Sequence, residues 1–315
     1  MERLTATIVP LLGGLFLVLG VGALLRVRGH MGQREADTLN ALIMDVTMPA
    51  LLVHVLTHQD LEWRDEGKAL LAATLALVAA GAAALAIARA LGVDRKGQGA
   101  AALSSSFANT GFLGFPLILA LYPASARASS TAIVVDTVDT TLLLWTAGLA
   151  FATRMGASAS TDALRTSVRG LVKPLTVALV VGVGLRALDV HLPAFLDDTL
   201  ASVGKCTSPL VFLALGLQLD VQALRGRALP VLASAAVKLL AAPLVCLALV
   251  RALHVEEPAA SVAVLQCAMP SAMASVIVSA RAGCDRALSA GIATLTTLAC
   301  LLTLPASGAL LDATR

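Results

Sequence analysis

Two stretches of the chain interrupt apolar sequence with helix-breaking and hydrogen-bonding residues. They are SSSFANTGFLGFPLILALYP (104–123) and SVAVLQCAMPSAMASVIVSA (261–280). Proline removes a backbone donor and glycine lets the chain leave helical geometry, so both stretches should free backbone N–H groups, which bind anions at helix ends. The expected chemistry is non-covalent anion binding, without catalytic residues. The candidate binding residues are Asn109, Thr110, Gly111, Gly114, Pro116, Met269, Pro270, Ser271 and Ser275.

Five ionisable residues lie inside apolar sequence, where a charge costs roughly 2.5–3.5 kcal/mol. Lys238 is a candidate counter-charge for a bound carboxylate, or a partner for nearby aspartates. Asp136 and Asp139 are three residues apart and should share a helix face. They are candidates for proton coupling, and a structural pair with Lys238 is the alternative. Asp45 and Lys205 are expected to form a structural ion pair.

The composition indicates an integral membrane protein of the all-α class. Of the 315 residues, 58% are hydrophobic and 14% are charged, whereas a soluble domain carries roughly 25% charged residues. The mean hydropathy is +0.86. Apolar runs of about 20 residues, the length that spans a bilayer core, recur along the chain. The five cysteines show no metal-binding spacing, so we expect no metal and no cofactor. The lipid bilayer is the expected environment, and no nucleic-acid partner is expected.

Hydrophobic length predicts ten transmembrane spans. Their predicted positions are 7–26, 38–57, 68–91, 98–122, 128–153, 173–189, 198–219, 228–250, 258–281 and 286–311.

Arginine and lysine are concentrated in alternate connections between these spans. Connections one, three, five, seven and nine are basic, and the others are poor in basic residues or rich in acidic ones, as in HVEEP. Cytoplasmic loops carry the excess of basic residues. Both termini are therefore expected to lie outside.

The spans predict two inverted five-helix repeats. The first repeat is residues 1–155, a cytoplasmic linker follows at 156–172, and the second repeat is 173–315. Spans two and seven each have a proline, Pro49 and Pro209, four residues after an ionisable residue. Spans four and nine each carry one of the two interruptions, which are expected to cross and line a site. Inverted repeats with broken helices are typical of secondary transporters.

Three motifs resemble the auxin efflux carrier family. They are FANTGFLGFPLILALYP, TMPALLVHVL and AMPSAMASVIVSARAGCD, and the likeness covers almost the whole chain. The resemblance implies ten helices with two crossed broken helices, a scaffold domain, a moving transport domain and often a homodimer. Its bacterial members are mostly permeases for small organic anions such as carboxylates, so a multi-pass protein of the bacterial inner (plasma) membrane is implied.

The function expected from these observations is that of a carrier, not an enzyme. We expect a permease or efflux carrier that moves a small organic anion, a carboxylate, by alternating access. A sodium-coupled symporter of the bile-acid type is the alternative within transporters, although its Gly-Gly-Thr and Asn-Val motif is absent from the ninth span. A sensor or channel built on a transporter fold is another alternative. Neither HExxH nor GxSxG occurs, which argues against an intramembrane hydrolase.

The arginine alternation predicts which connections are accessible from outside the cell. In a background without the native cysteines, Glu62→Cys should react with a membrane-impermeant thiol reagent in intact cells, whereas Ser160→Cys should react only after permeabilisation. Labelling of Ser160→Cys but not of Glu62→Cys in intact cells would reverse the orientation.

Overall fold

The computed structural model describes residues 4–58, 66–123, 125–156, 174–219 and 227–314, and these residues form helices and an isolated backbone bridge. The helices are α1 (Leu4–Val27), α2 (Gln33–His58), α3 (Glu66–Ala90), α4 (Arg95–Ser106), α5 (Thr110–Leu121), α6 (Ala126–Met155), α7 (Pro174–Ala187), α8 (Ala194–Gln218), α9 (Ala228–Ala252), α10 (Ala259–Ala268), α11 (Met273–Arg281) and α12 (Arg286–Thr314).

The predicted all-α membrane class agrees with helix length and composition. Seven described helices, α1, α2, α3, α6, α8, α9 and α12, are long and apolar enough to cross a membrane. Shorter apolar segments occupy α5, most of α7 and α10. The predicted linker at 156–172 lies, apart from its first residue, outside the described residues.

The helices pack as two groups. The first group contains α1, α2, α7 and α8: α1 packs along the second half of α8, and the end of α2 packs against α7 and the start of α8. The second group contains the other helices, in which α3 contacts α4, α6, α9 and α10, and α12 contacts α4, α9 and α11. The two groups also meet where α1 contacts α12.

Two glycines allow α1 and α8 to pack backbone against backbone. A Cβ atom on Gly22 would overlap the Leu213 carbonyl oxygen, and one on Gly216 would overlap the Leu19 carbonyl oxygen. Small residues at helix contacts let backbones approach closely, which is how membrane helices gain van der Waals packing. Helices α1 and α8 can approach this closely because glycine has no side chain at these two positions.

Four of the described helices contain stretches with π-type i→i+5 winding. These stretches are Ile43–Thr47 in α2, Thr110–Gly114 in α5, Asp136–Gly148 in α6 and Val237–Ala241 in α9. Such winding often marks functional sites and changes which side chains share a face. Three of these stretches contain ionisable residues, so α-helical spacing rules do not apply to them. These residues are Asp45, Asp136 with Asp139, and Lys238.

The α1–α8 contact predicts opposite effects for two similar substitutions on one helix. Gly22→Ala should lower the stability by about 1–3 kcal/mol because the new methyl group overlaps the facing backbone. Gly20→Ala is the matched control: apart from its own stretch of helix, no described atom lies within 4 Å of its added Cβ. Alanine stabilises a helix interior by roughly 0.5–1 kcal/mol over glycine. Thermal unfolding in detergent measures both. Equal midpoints for the two variants would contradict the packing.

Candidate functional site

The two interrupted stretches cross in contact with each other. The backbone N–H of Asn109 donates to the Pro270 carbonyl oxygen at 2.7 Å, and the backbone N–H of Ala272 donates to the Phe107 carbonyl oxygen at 2.9 Å. These two bonds flank an antiparallel bridge between Ala108 and Ser271. Four helix ends therefore converge at one point: α4 and α10 end there, and α5 and α11 begin there.

Side chains from other helices satisfy further backbone groups at the crossing. The Thr140 hydroxyl in α6 donates to the Ala108 carbonyl oxygen at 3.3 Å. The Ser271 N–H donates to the Thr296 hydroxyl oxygen in α12 at 3.1 Å. In the membrane interior each unsatisfied backbone group costs several kcal/mol. These bonds make the interruption stable at membrane depth.

Pro116 does not cause the first interruption directly. The helical backbone stops at Phe107–Asn109, and Pro116 lies in the first turn of the α-helical segment Phe115–Leu121. Between them Thr110–Gly114 is wound with i→i+5 bonds, such as the Phe115 N–H to the Thr110 carbonyl oxygen. At the second interruption, Pro270 itself lies in the non-helical backbone.

A cavity of about 740 Å³ lies between the two helix groups and reaches the crossing. This volume is within the range of small-molecule sites. The first group contributes parts of α1, α2, α7 and α8, and the second contributes parts of α5, α6, α11 and α12. Polar and charged residues along it include Arg26, Gln33, Asp37, Asn40, Asn109, Asp136, Thr140, Thr141, Gln218, Arg281 and Arg286.

Asn109 lines this cavity at the crossing and carries an unused side-chain hydrogen-bond donor. Asn109 is 3% exposed, and its Nδ2 atom has no hydrogen-bond partner among the residues that the structure describes. A buried polar group left unsatisfied costs about 1–3 kcal/mol. The cavity also contacts Gly111 in the first turn of α5 and Ala272 to Ala274 at the start of α11. Both helices thus direct the positive ends of their dipoles toward the same region.

Asp136 and Asp139 face different neighbours. Asp136 lines the cavity and accepts a hydrogen bond from the Thr110 hydroxyl at 2.6 Å. Asp139 is buried and accepts a hydrogen bond from the Thr74 hydroxyl in α3 at 2.7 Å. The two carboxylates therefore have different hydrogen-bond partners, and both lie in the π-wound part of α6, to which α-helical spacing does not apply.

Gly111 is required by the position of Asp136. A Cβ atom on Gly111 would lie 2.9 and 3.0 Å from the two Asp136 carboxylate oxygens, and 3.1 Å from Cε of Met48. Real Cβ atoms rarely come so close, so any side chain here must displace the carboxylate or the methionine. Glycine thereby brings the start of α5 against both α6 and α2.

Comparison with known proteins agrees with the membrane-embedded architecture. Residues 7–307 match the model of the family described as membrane transport protein. The chain belongs to this family of membrane transport proteins. It is also 28% identical over 295 residues to an uncharacterized transporter from Methanothermobacter thermautotrophicus, covering 92% of this chain and 94% of that protein. The resemblance to the auxin efflux carrier family is confirmed by the family match.

The other predicted binding residues of this transport protein support the crossing and do not line the cavity. Gly114 packs directly against Gln266, and a Cβ atom there would also lie 3.2 Å from Cγ of Met269. The Ser275 hydroxyl donates to the Ala272 carbonyl oxygen at 2.6 Å and lies 3.3 Å from the Ser271 hydroxyl. Thr110, Pro116, Met269, Pro270, Ser271 and Ser275 are all buried.

Lys238 also lies away from the cavity. Its side chain is 1% exposed, and its Nζ atom donates to the Cys267 carbonyl oxygen at 2.9 Å. Within the described residues the structure pairs Lys238 with this carbonyl and with neither Asp136 nor Asp139. A cation beside the C-terminus of α10 also complements the helix dipole. Lys238 and Asp139 both line a small void of about 20 Å³, which is large enough for one water molecule.

Asp45 and Lys205 do not form the expected ion pair. Both side chains are exposed on the outside of the helix groups, and among the described residues no ion pair joins them. Asp45 lies in the π-wound part of α2, and Lys205 lies next to the irregular turn at Cys206 in α8. The shared spacing to a proline therefore does not bring the two charges together.

The sequence reasoning missed the arginines of the cavity. Arg26 donates to the carbonyl oxygens of Leu217 and Leu219 at 2.9 and 2.6 Å, and so stabilises the end of α8. The Arg281 guanidinium lies 5.8 Å from the centre of the Trp145 ring, within cation–π distance. Arg286 begins α12. In the sequence, the basic residues of these connections serve only to predict orientation. The structure places all three arginines at helix ends that line the cavity.

The position of Lys238 predicts a structural role. Lys238→Met should lower stability by about 1.5–3 kcal/mol, the usual contribution of a hydrogen bond to a charged group, because the Cys267 carbonyl loses its donor. Binding of a carboxylate to the folded fraction should change little. The control is Lys68→Met, which removes an exposed lysine of α3. Lost binding with unchanged thermal unfolding would restore Lys238 as a counter-charge.

Proposed function

We propose that this transport protein carries a small organic anion, a carboxylate, across the plasma membrane by alternating access. The observation that carries the proposal is the buried amide of the cavity-lining Asn109, whose Nδ2 donor has no partner among the described residues. A carboxylate oxygen is a strong acceptor for such a donor. The helix N-termini of α5 and α11 add positive potential at the same point.

Two arginines at the helix ends that border the cavity would attract an anion. Arg281 and Arg286 lie on the helix ends that border it, and they would raise the local concentration of anions by electrostatic attraction. Deeper in the cavity, Asp136 would repel a bound carboxylate if it were ionised. Binding of an anion and of a proton at Asp136 would therefore favour each other, which supports proton-coupled transport over a passive pore.

The helix groups support an alternating-access cycle. The cavity lies between α1, α2, α7 and α8 on one side and helices of the second group on the other. It extends from the crossing to the ends of α1, α8 and α11 and the start of α12, next to the basic connections. Under the positive-inside rule this is the cytoplasmic side. Movement of the second group against the first would open the crossing toward the other side.

The full topology proposed for this cycle has ten crossings. Seven are the long helices, and the other three are α7 and the interrupted pairs α4–α5 and α10–α11. Two inverted five-helix repeats would then place α5 and α11 in opposite directions at the crossing. Both termini lie outside in this arrangement, and a homodimer is the proposed assembly.

Removal of the Asn109 donor tests the binding site. Asn109→Ala should weaken binding of the best carboxylate in a thermal-shift screen at least tenfold, equivalent to about 1.4 kcal/mol, while the protein still inserts and purifies. Asn109→Asp should bind more weakly still, because it adds a like charge. Asn40→Ala removes the other asparagine of the cavity, away from the crossing, and should change affinity less than threefold. Wild-type affinity in Asn109→Ala would place the site elsewhere.

The two aspartates of α6 should differ in proton coupling. Flux into vesicles should respond to a pH gradient in the wild type and in Asp139→Asn, because the asparagine oxygen can still accept the hydrogen bond from Thr74. Asp136→Asn should abolish the response and retain part of the binding, because its side chain lines the cavity but cannot exchange a proton. A full pH response in Asp136→Asn would exclude Asp136 as the coupling group.

A further inference from the structure

Two histidines and an aspartate converge away from the cavity, where the end of α2 meets the start of α8. Nδ1 of His54 lies 2.8 Å from Oδ1 of Asp197, and Nε2 of His58 lies 3.2 Å from Oδ2 of the same carboxylate. The two imidazole rings are tilted against each other with 4.6 Å between their centres. One carboxylate thus faces a ring nitrogen from each histidine.

The hydrogen-bond pattern of His58 requires a positive group between its ring and Asp197. Nδ1 of His58 lies 2.9 Å from the His54 carbonyl oxygen, which can only accept, so Nδ1 carries the hydrogen. In a neutral imidazole Nε2 is then a bare acceptor. That acceptor faces a carboxylate oxygen, which is repulsive. Either a second proton or a metal ion must lie between them.

The geometry fits a metal ion. The histidines are four residues apart on one helix, the spacing by which helical histidine pairs bind zinc. Ligating histidines usually donate their other ring N–H to a carbonyl or carboxylate, as His58 does to the His54 carbonyl. The three ligand atoms lie within 4.8 Å of one another. In a tetrahedral zinc site with metal–ligand distances of about 2.0–2.1 Å, the ligand atoms are about 3.3 Å from one another. Nε2 of His58 and Oδ2 of Asp197 are 3.2 Å apart, close to this value.

We propose that His54, His58 and Asp197 bind a zinc ion that joins α2 to α8. Two imidazole nitrogens and one carboxylate form a donor set that suits Zn²⁺, and water completes the fourth position. The site is open to solvent, because the side chain of His58 is 54% exposed and that of Asp197 is 23% exposed. Both helices belong to the first helix group. The ion therefore stabilises the contact within that group and takes no part in closing the cavity.

Zinc titration of the full-length protein tests the proposal. The tag-free protein in detergent should bind one Zn²⁺ per chain by calorimetry at neutral pH, and zinc should raise its thermal midpoint. His58→Gln and Asp197→Asn should each weaken binding at least tenfold and lose the thermal shift. The matched control is His191→Gln, because His191 lies in the connection between α7 and α8 and its Nδ1 contacts the Asp189 carbonyl oxygen. It should bind zinc like the wild type.

A second measurement does not depend on the variants folding. Co²⁺ added to the wild-type protein should give the visible absorption of a tetrahedral N/O site, and one equivalent of Zn²⁺ should remove it. Absence of stoichiometric zinc binding to the wild type would overturn the proposal and assign the position between His58 and Asp197 to a proton. Equal binding by wild type, His58→Gln and Asp197→Asn would also overturn it, as would a loss confined to His191→Gln.

Discussion

The structure depends on one constraint: backbone polar groups inside a bilayer must find partners within the protein. The chain breaks helical geometry at Phe107–Asn109 and again around Pro270, and it meets the constraint by pairing the two breaks with each other. Thr140 and Lys238 then donate to two of the freed carbonyls, and Thr296 accepts from a freed N–H. The contacts around the crossing follow from this requirement.

This network leaves the side-chain amide donor of Asn109 unused, and the proposed binding site depends on that donor. The backbone of Asn109 is bonded across the crossing, while its side-chain Nδ2 is buried and unpartnered. A transporter needs such a group, since a site satisfied entirely by the protein has nothing to offer a ligand. Because the cavity separates the two helix groups, a ligand held at Asn109 lies where relative motion of the groups would expose it to either side.

Much of this architecture follows from the sequence because its signals are local. Apolar length predicted helices in a membrane, and glycine and proline marked two interruptions, which the structure brings together. The sequence does not indicate which neighbours the buried charged side chains contact. Lys238 donates to the Cys267 carbonyl oxygen, and Asp139 accepts from Thr74 whereas Asp136 accepts from Thr110. These partners are set by how the helices pack. The sequence therefore does not separate groups that line the cavity from groups that build the crossing, where the structure places Lys238, Ser271 and Ser275.

A structure of the protein with a bromine-labelled carboxylate, recorded at the bromine absorption edge, tests most directly whether the anion binds at the crossing. The compound should be the labelled analogue of the carboxylate that stabilises the protein most against heat. We predict one anomalous peak inside the cavity, with the carboxylate oxygens at hydrogen-bond distance from Nδ2 of Asn109. A reproducible peak outside this cavity, with the Asn109 amide still unpartnered, would contradict the proposed site.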